Sequence, residues 1–271
     1  MSRSTTTFPH IARLASPVDN STRTLRQFRS DSVGGDSYGG RMTQQITVSD
    51  DYTGTVSPDG EQQNSAQRRT LDNATIVKIS VGPMDNNAYL ITDAATGEAL
   101  LVDAANDAGV LLALVDQEPG VVRQIVTTHG HFDHWQALVE VRDGLDVPHA
   151  VGADDAPDLP ITADRLLSDG DTIAVGDLTL DVIGIRGHTK GSVALVLTEK
   201  SGRVHLFTGD SLFPGGVGKT WQDGDFEILL GDVETRLFGR FDDAVVYPGH
   251  GKDTTLATER PHLSDWRERG W

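Results

Sequence analysis

From residue 71 to the C-terminus the apolar positions fall into two periods. Residues 75–81 (Thr-Ile-Val-Lys-Ile-Ser-Val) alternate as a half-buried strand does. Residues 88–91 and 99–102 follow as two more strands, separated by a turn at 93–97. Such close spacing predicts an antiparallel meander. Residues 106–117 carry apolar side chains at helical spacing and stop at Pro119-Gly120. Residues 121–127 are an apolar, β-branched run that predicts a buried strand, and 135–142 read as a helix. Short strands are predicted at 147–151, 172–175, 178–183, 193–198, 204–207 and 244–247, and helices at 227–237 and 261–269. Strands clustered and interleaved with helices predict a mixed α/β domain.

Residues 1–70 hold neither period. Seventeen of these 70 are apolar, well below the 37% of the whole chain. They predict a disordered tail over 1–70, ahead of one folded domain over 71–271. The first 30 residues carry five Arg and one acid among many hydroxyls, as transit peptides do, and Met42 offers a downstream start. Tail, targeting segment and start-site displacement all remain open. The formal net charge is −17; the first 70 residues contribute +1, so the remainder carries −18. A domain this acidic repels phosphate backbones, so a small-molecule substrate is expected and nucleic acid is not. Apolar runs reach about seven residues, too short to span a bilayer, so no membrane association is expected and the location is read as cytoplasmic. The chain has no Cys, which excludes disulfides, thiolate metal sites and cysteine nucleophiles.

The predicted strand 121–127 runs into Thr128-His129-Gly130-His131-Phe132-Asp133-His134. Three of the chain's nine histidines lie in this heptapeptide. A loop at a strand end can turn four such side chains toward one point while the strand holds it still. Imidazole is the commonest metal ligand, and carboxylates join it for divalent ions. His188, Asp210 and His250 each follow an apolar strand, and each has a Gly immediately before it. Small neighbours let the backbone approach an ion closely. Together these make five His and two Asp. The stretch 211–221 has Gly218-Lys219-Thr220 but lacks the earlier glycine of a phosphate loop, since Phe213 stands there.

Thr128–His134, Gly187-His188-Thr189, Thr208-Gly209-Asp210 and Pro248-Gly249-His250-Gly251 resemble, in order, the successive metal motifs of metallo-β-lactamase-fold hydrolases. Within them the chain most resembles the glyoxalase II-like (hydroxyacylglutathione hydrolase-like) branch, over roughly residues 75–255. The resemblance implies an αββα sandwich of two mixed β-sheets with flanking helices, an α/β (α+β) fold with the metals at one edge. It implies one ion on His129, His131 and His188, another on Asp133, His134 and His250, and Asp210 bridging them. Two Zn2+ are implied, with Fe or Mn able to stand in either place. Asp103 would orient ligands from behind. A hydroxide between the ions would attack the acyl carbon of a small thioester, with Asp133 also able to accept a proton. Lys219 matches a substrate-contacting lysine of that branch, and Trp221 stands where a Tyr is usual; both are expected to touch an acidic thiol portion.

Two departures from that branch stand out, the first of which leaves another small thiol or another ester open. About 20 residues follow His250, where glyoxalase II proper carries a longer helical extension, and Trp135-Gln136 replaces a Gly-containing continuation. Trp135 is expected to pack beneath the loop. A mononuclear iron persulfide dioxygenase-like enzyme, a lactonase or another ester hydrolase of the same superfamily stand as alternatives.

Overall fold

Alternation along the strands sorts the apolar side chains into three layers, and the layers define the architecture. The computed structural model describes residues 44–59 and 64–270. The first sheet has eight strands in sequence order: β1 Thr47–Ser49, β2 Ser65–Thr70, β3 Ala74–Val81, β4 Asn86–Asp93, β5 Glu98–Val102, β6 Val121–Thr127, β7 His149–Gly152 and β8 Arg165–Leu167. The second sheet holds β9 Thr172–Val175, β10 Leu178–Gly184, β11 Val193–Thr198 and β12 Val204–Gly209. A two-stranded ribbon, β13 Leu212–Phe213 with β14 Gly216–Val217, follows. The second sheet is completed by β15 Val245–Pro248 and β16 Thr254–Thr255, in the order β16-β15-β12-β11-β10-β9.

Ile76, Ile91, Leu100 and Val102 of the first sheet share a buried cluster with Leu180, Val182, Leu195, Phe207 and Tyr247 of the second. The two sheets therefore pack face to face. Their alternate residues point the other way. Val77, Ile79, Leu90 and Leu101 pack on the helices α1 Ala108–Gln117 and α2 Leu138–Leu145. Ile183, Ala194, Val196, Leu206 and Val246 pack on residues of α3 Asp225–Asp232, the π-helical turn Val233–Phe238, α4 Leu256–Glu259 and α5 Leu263–Arg269. Period-two burial on both sheets thus builds an αββα sandwich, as expected.

Strand direction positions the site. β5, β6, β7 and β8 run parallel, so Asp103 and the 128–134 loop leave the first sheet at one edge. β4 is antiparallel to β5, which brings its first residue, Asn86, to that same edge. In the second sheet β10 and β12 share a direction, because β11 is antiparallel to both, and β15 is parallel to β12. His188, Asp210 and His250 therefore also emerge together. The backbone bonds from Val193 N to Thr128 O (2.9 Å) and from Asn87 N to Gly249 O (2.7 Å) join the two edges.

The expected boundary at residue 70 is corrected: the folded unit includes residues 44–59 and 64–70. β2 (Ser-Ala-Gln-Arg-Arg-Thr) pairs with β3 along five positions, and β1 pairs with β2. Its polarity hid it. Arg68 is bound to the buried Glu118 at 2.6 Å, and Arg69 lies over the Tyr52 ring at 4.2 Å and donates to Tyr247 Oη at 2.9 Å. Charged side chains with such partners occupy positions that would otherwise read as exposed. The remaining tail expectation, residues 1–43, lies outside the described residues. The helix expected over 227–237 is α-helical only to Asp232 and then widens to a π turn. The helix expected over 135–142 starts later, at Leu138, because 132–134 form a 3₁₀ turn of their own.

Candidate metal centre

All seven side chains singled out from the sequence meet at the shared edge. Their ligand atoms form three groups, each within 4.8 Å: His129 with His131 and His188; Asp133 with His134 and His250; and His129 with His134 and Asp210. The first two coincide with the two sets the resemblance implies. Asp210 lies between them: Oδ1 is 3.3 Å from His134 Nε2, and Oδ2 is 3.4 Å from His250 Nε2 and 3.6 Å from His188 Nε2.

The outer nitrogen of four rings is committed, which fixes what the inner nitrogen offers. His188 Nδ1 faces Lys219 O at 2.7 Å, and His250 Nδ1 faces Met84 O at 2.8 Å. A carbonyl only accepts, so each Nδ1 carries the hydrogen. His134 Nδ1 donates to Asp103 Oδ2 at 2.9 Å. Thr128 gives its hydroxyl hydrogen to Asp103 Oδ2 and so accepts from His129 Nδ1 at 3.1 Å. In the neutral form the four rings would direct Nε2 lone pairs inward, at 3.3 Å between His129 and His188 and 3.2 Å between His134 and His250. Facing lone pairs repel unless a cation stands among them. Asp210 Oδ1 is buried without a hydrogen-bond partner, a second sign of the same need. The donor set therefore fits divalent metal ions, and these His/Asp groups are metal-binding sites in their chemistry.

The charges agree. Burial raises the carboxyl pKa of Asp210, but His134 and His250 outweigh it and hold the group well below the usual range. Burial likewise opposes ionisation of Asp133, yet His250, His134 and Asn86 bring it down to about 2. Burial disfavours a charged His134, but the carboxylates of Asp210 and Asp103 lift it well above the ordinary imidazole value. His250 is raised to about 10 against its burial, by Asp133 and Asp210. His129, fully enclosed, is pushed well down by burial and then by His134. The pair of acids thus creates a place that favours positive charge, whether proton or metal. His131 is half-buried and the His250 side chain is 23% exposed, whereas His129 and His134 are sealed, so solvent reaches the cluster past His131 and His250.

Asp103 Oδ1 accepts from Thr128 N at 2.7 Å, and its Oδ2 accepts from Thr128 Oγ1 and His134 Nδ1. Its backbone adopts φ 59°, which turns the carboxylate under the loop. Each glycine before a later ligand also stands where a Cβ would clash, Gly209 with Thr128 Oγ1 at 2.6 Å. A Cβ on Gly249 would lie 2.2 Å from Asp210 Oδ1 and 2.6 Å from His134 Cε1, so there the crowding comes from the ligands. At Gly187 (φ +116°) it comes from α3, with Asp225 O at 2.5 Å. Trp135 packs under the loop as expected, its Nε1 donating to Gly130 O at 2.9 Å.

Lys219 and Trp221 stand at the mouth. Lys219 Nζ lies 4.2 Å over the Trp221 ring, which is 58% exposed and meets His131 edge-on at 5.8 Å. Sequence reading missed Asn86, whose Nδ2 donates to Asp133 Oδ2 at 2.9 Å, and Asp155, which sits behind the loops. An Asn or Asp at a strand edge has no local pattern to mark it; only pairing across the fold does.

Residues 81–250 match the family model described as the metallo-beta-lactamase superfamily. The chain is 39% identical over 138 residues to a hydroxyacylglutathione hydrolase of Fuscovulum blasticum, covering 51% of this chain and only 52% of that relative. It is 26% identical over 201 residues to the hydroxyacylglutathione hydrolase GloC of Haemophilus influenzae, covering 67% of this chain and 93% of the relative. Among solved structures, TTHA1623 in a di-iron-bound form superposes with a TM-score of 0.59 at 29% identity, covering 68% of this chain and 96% of that one.

Proposed function

The chain belongs to the metallo-β-lactamase superfamily, and from that premise we propose that it is a dinuclear metal-dependent hydrolase of small thioesters. The observation that carries this reading is the convergence of five imidazoles and two carboxylates, four of the rings turned inward through Nε2 and His131 through Nδ1. A complete second triad, Asp133, His134 and His250, favours two ions over one. Divalent ions held there would acidify water and polarise a carbonyl. The metal is assigned as zinc, with iron the competing occupant.

The chain's own residues supply the rest. Asp103, Asn86 and the carbonyls of Met84 and Lys219 fix ring and carboxylate orientation, so the donors need no rearrangement when substrate arrives. Asp133 would hold one ion and could accept the proton that leaves the attacking water. The thioester choice draws on the relatives named as hydroxyacylglutathione hydrolases and on the Lys219–Trp221 pair, a cation and an indole face suited to the acidic end of a thiol carrier.

The test is a hydrolysis panel of acyl-thioesters, lactones, β-lactams and phosphodiesters on zinc-loaded protein, beside elemental analysis. Thioesters are expected to turn over fastest, with about two ions per chain. Oxygen uptake with a persulfide substrate and a single iron per chain would instead establish the dioxygenase alternative. His131→Ala is expected to lower metal content and turnover together; a variant retaining both in full refutes the site assignment.

A further inference from the structure

Asp155 follows β7 and contributes nothing to the seven-residue cluster, yet it is 1% exposed. Its Oδ2 accepts from Gly130 N at 2.8 Å and from Thr189 Oγ1 at 2.6 Å, and its Oδ1 accepts from Gly191 N at 2.7 Å. No cationic side chain pairs with it among the described residues. A buried carboxylate without a counter-charge is held only by such donors, so its place is costly and specific. The donors belong to two loops from two sheets. Gly130 stands between His129 and His131; Thr189 and Gly191 follow His188. Thr189 is further bonded to Ser192, and a Cβ on Gly191 would come within 2.5 Å of Asp155 N, so the three segments are in direct contact.

We propose that Asp155 is a positioning residue that sets the separation of these two loops, and with it the His129–His131–His188 triad. The proposal rests on the reading that this triad holds one of two divalent ions. The other triad has supports that do not involve Asp155: Asp103 on His134, Asn86 on Asp133 and the Met84 carbonyl on His250. The effect of losing Asp155 is therefore one-sided. Substitutions behind metal ligands weaken binding by about 10–100-fold. Asn at 155 keeps one accepting oxygen and presents an amide hydrogen where the other stood, so it loses part of the clamp; Ala loses all of it.

The test is zinc titration of the full chain against a competing chelator, with Co2+ absorption reporting each site, for wild type, Asp155→Asn, Asp155→Ala and Thr189→Val. Circular dichroism and urea midpoints of the zinc-free proteins run alongside. Expected is a loss of about tenfold or more in affinity for one ion in Asp155→Ala, with less in Asp155→Asn and Thr189→Val at the same ion. The second ion should stay within about twofold of wild type. Unchanged affinity for both ions, or equal weakening of both, overturns the proposal. If Asp155→Ala fails to fold, Thr189→Val decides: one-sided weakening sustains the proposal, and its absence ends it. A wild-type chain that binds fewer than two ions would overturn the underlying functional reading, a result distinct from these.

Discussion

Two side chains show how a single residue's surroundings set its behaviour. Lys219 holds its ammonium over an exposed indole rather than in the cluster, so its reach is toward the remote part of a substrate. Lys219→Ala is expected to raise KM for acidic thioesters by about tenfold while kcat falls less, the pattern of lost uniform binding. Steady-state kinetics over several acidic and neutral acyl-thiols measure it; equal KM values for both proteins would remove Lys219 from the pocket. His149 is the opposite case. It is 1% exposed, its Nε2 meets Thr127 Oγ1 at 2.9 Å, and its Nδ1 has no partner. Burial, then the nearby Arg142, lowers its pKa to about 4. The folded pKa lies below the unfolded value near 6.5, so His149 folds neutral. Its contribution is full above about pH 6.5 and is lost as pH falls toward 4, amounting to about 3 kcal/mol. Urea unfolding at pH 7 and pH 4.5 should show a smaller acid loss in His149→Gln than in wild type; identical losses would contradict this.

At the scale of elements, the polar segment ahead of β2 turns out to brace the loop that carries His250. Lys78, fully buried in β3, donates to Gly54 O at 2.8 Å, to Gly251 O at 2.7 Å and to Asp253 Oδ1 at 2.6 Å. Tyr52 Oη donates to Asp253 Oδ2 at 2.7 Å, and Asn87 Nδ2 also reaches Gly251 O. Residues 52–54, β3 and the 248–253 loop are therefore one hydrogen-bonded unit. Asp253→Ala leaves the Lys78 ammonium buried without its counter-charge and is expected to cost about 3–5 kcal/mol. Lys78→Met removes the charge itself and keeps the volume, so it should cost less. Thermal unfolding of the two variants compares them, and a larger loss in Lys78→Met would reverse the account. This unit also explains why the domain boundary was misplaced. Tyr52 and Arg69 have no apolar period between them; their value lies in partners about 180–200 positions away, as does that of Gly54, whose carbonyl also accepts from Asp253 N.

For the whole molecule, the centre is a joint. The 128–134 loop comes from the first sheet, while His188, Asp210 and His250 come from the second. Ions bound there would hold the open edge of the sandwich together, in addition to the apolar layer between the sheets. Ligands that bind only the folded state stabilise it by mass action, about 4 kcal/mol at a thousandfold excess over Kd. Chelation is expected to lower Tm by roughly 10 °C, and zinc added back should restore it. A melting curve indifferent to chelator would contradict ion binding at this edge. Among the described residues no helix is long and apolar enough to cross a membrane.

What the chain determined by itself is local and periodic: strands that alternate, a heptapeptide dense in imidazole, and a ligand type placed after each of several apolar runs. Those signals suffice for a mixed α/β domain and for the seven members of the cluster, because burial repeats with the backbone period and metal ligands need particular side-chain chemistry; the two-sheet sandwich came from the family resemblance. Tertiary structure decided everything that depends on a partner. It gave Asp155 and Asn86 their work, made Gly249 obligatory beside Asp210, and drew residues 44–59 into the domain. A hydrogen bond or ion pair between distant segments leaves no period in either, so it becomes visible only where the fold brings the two together.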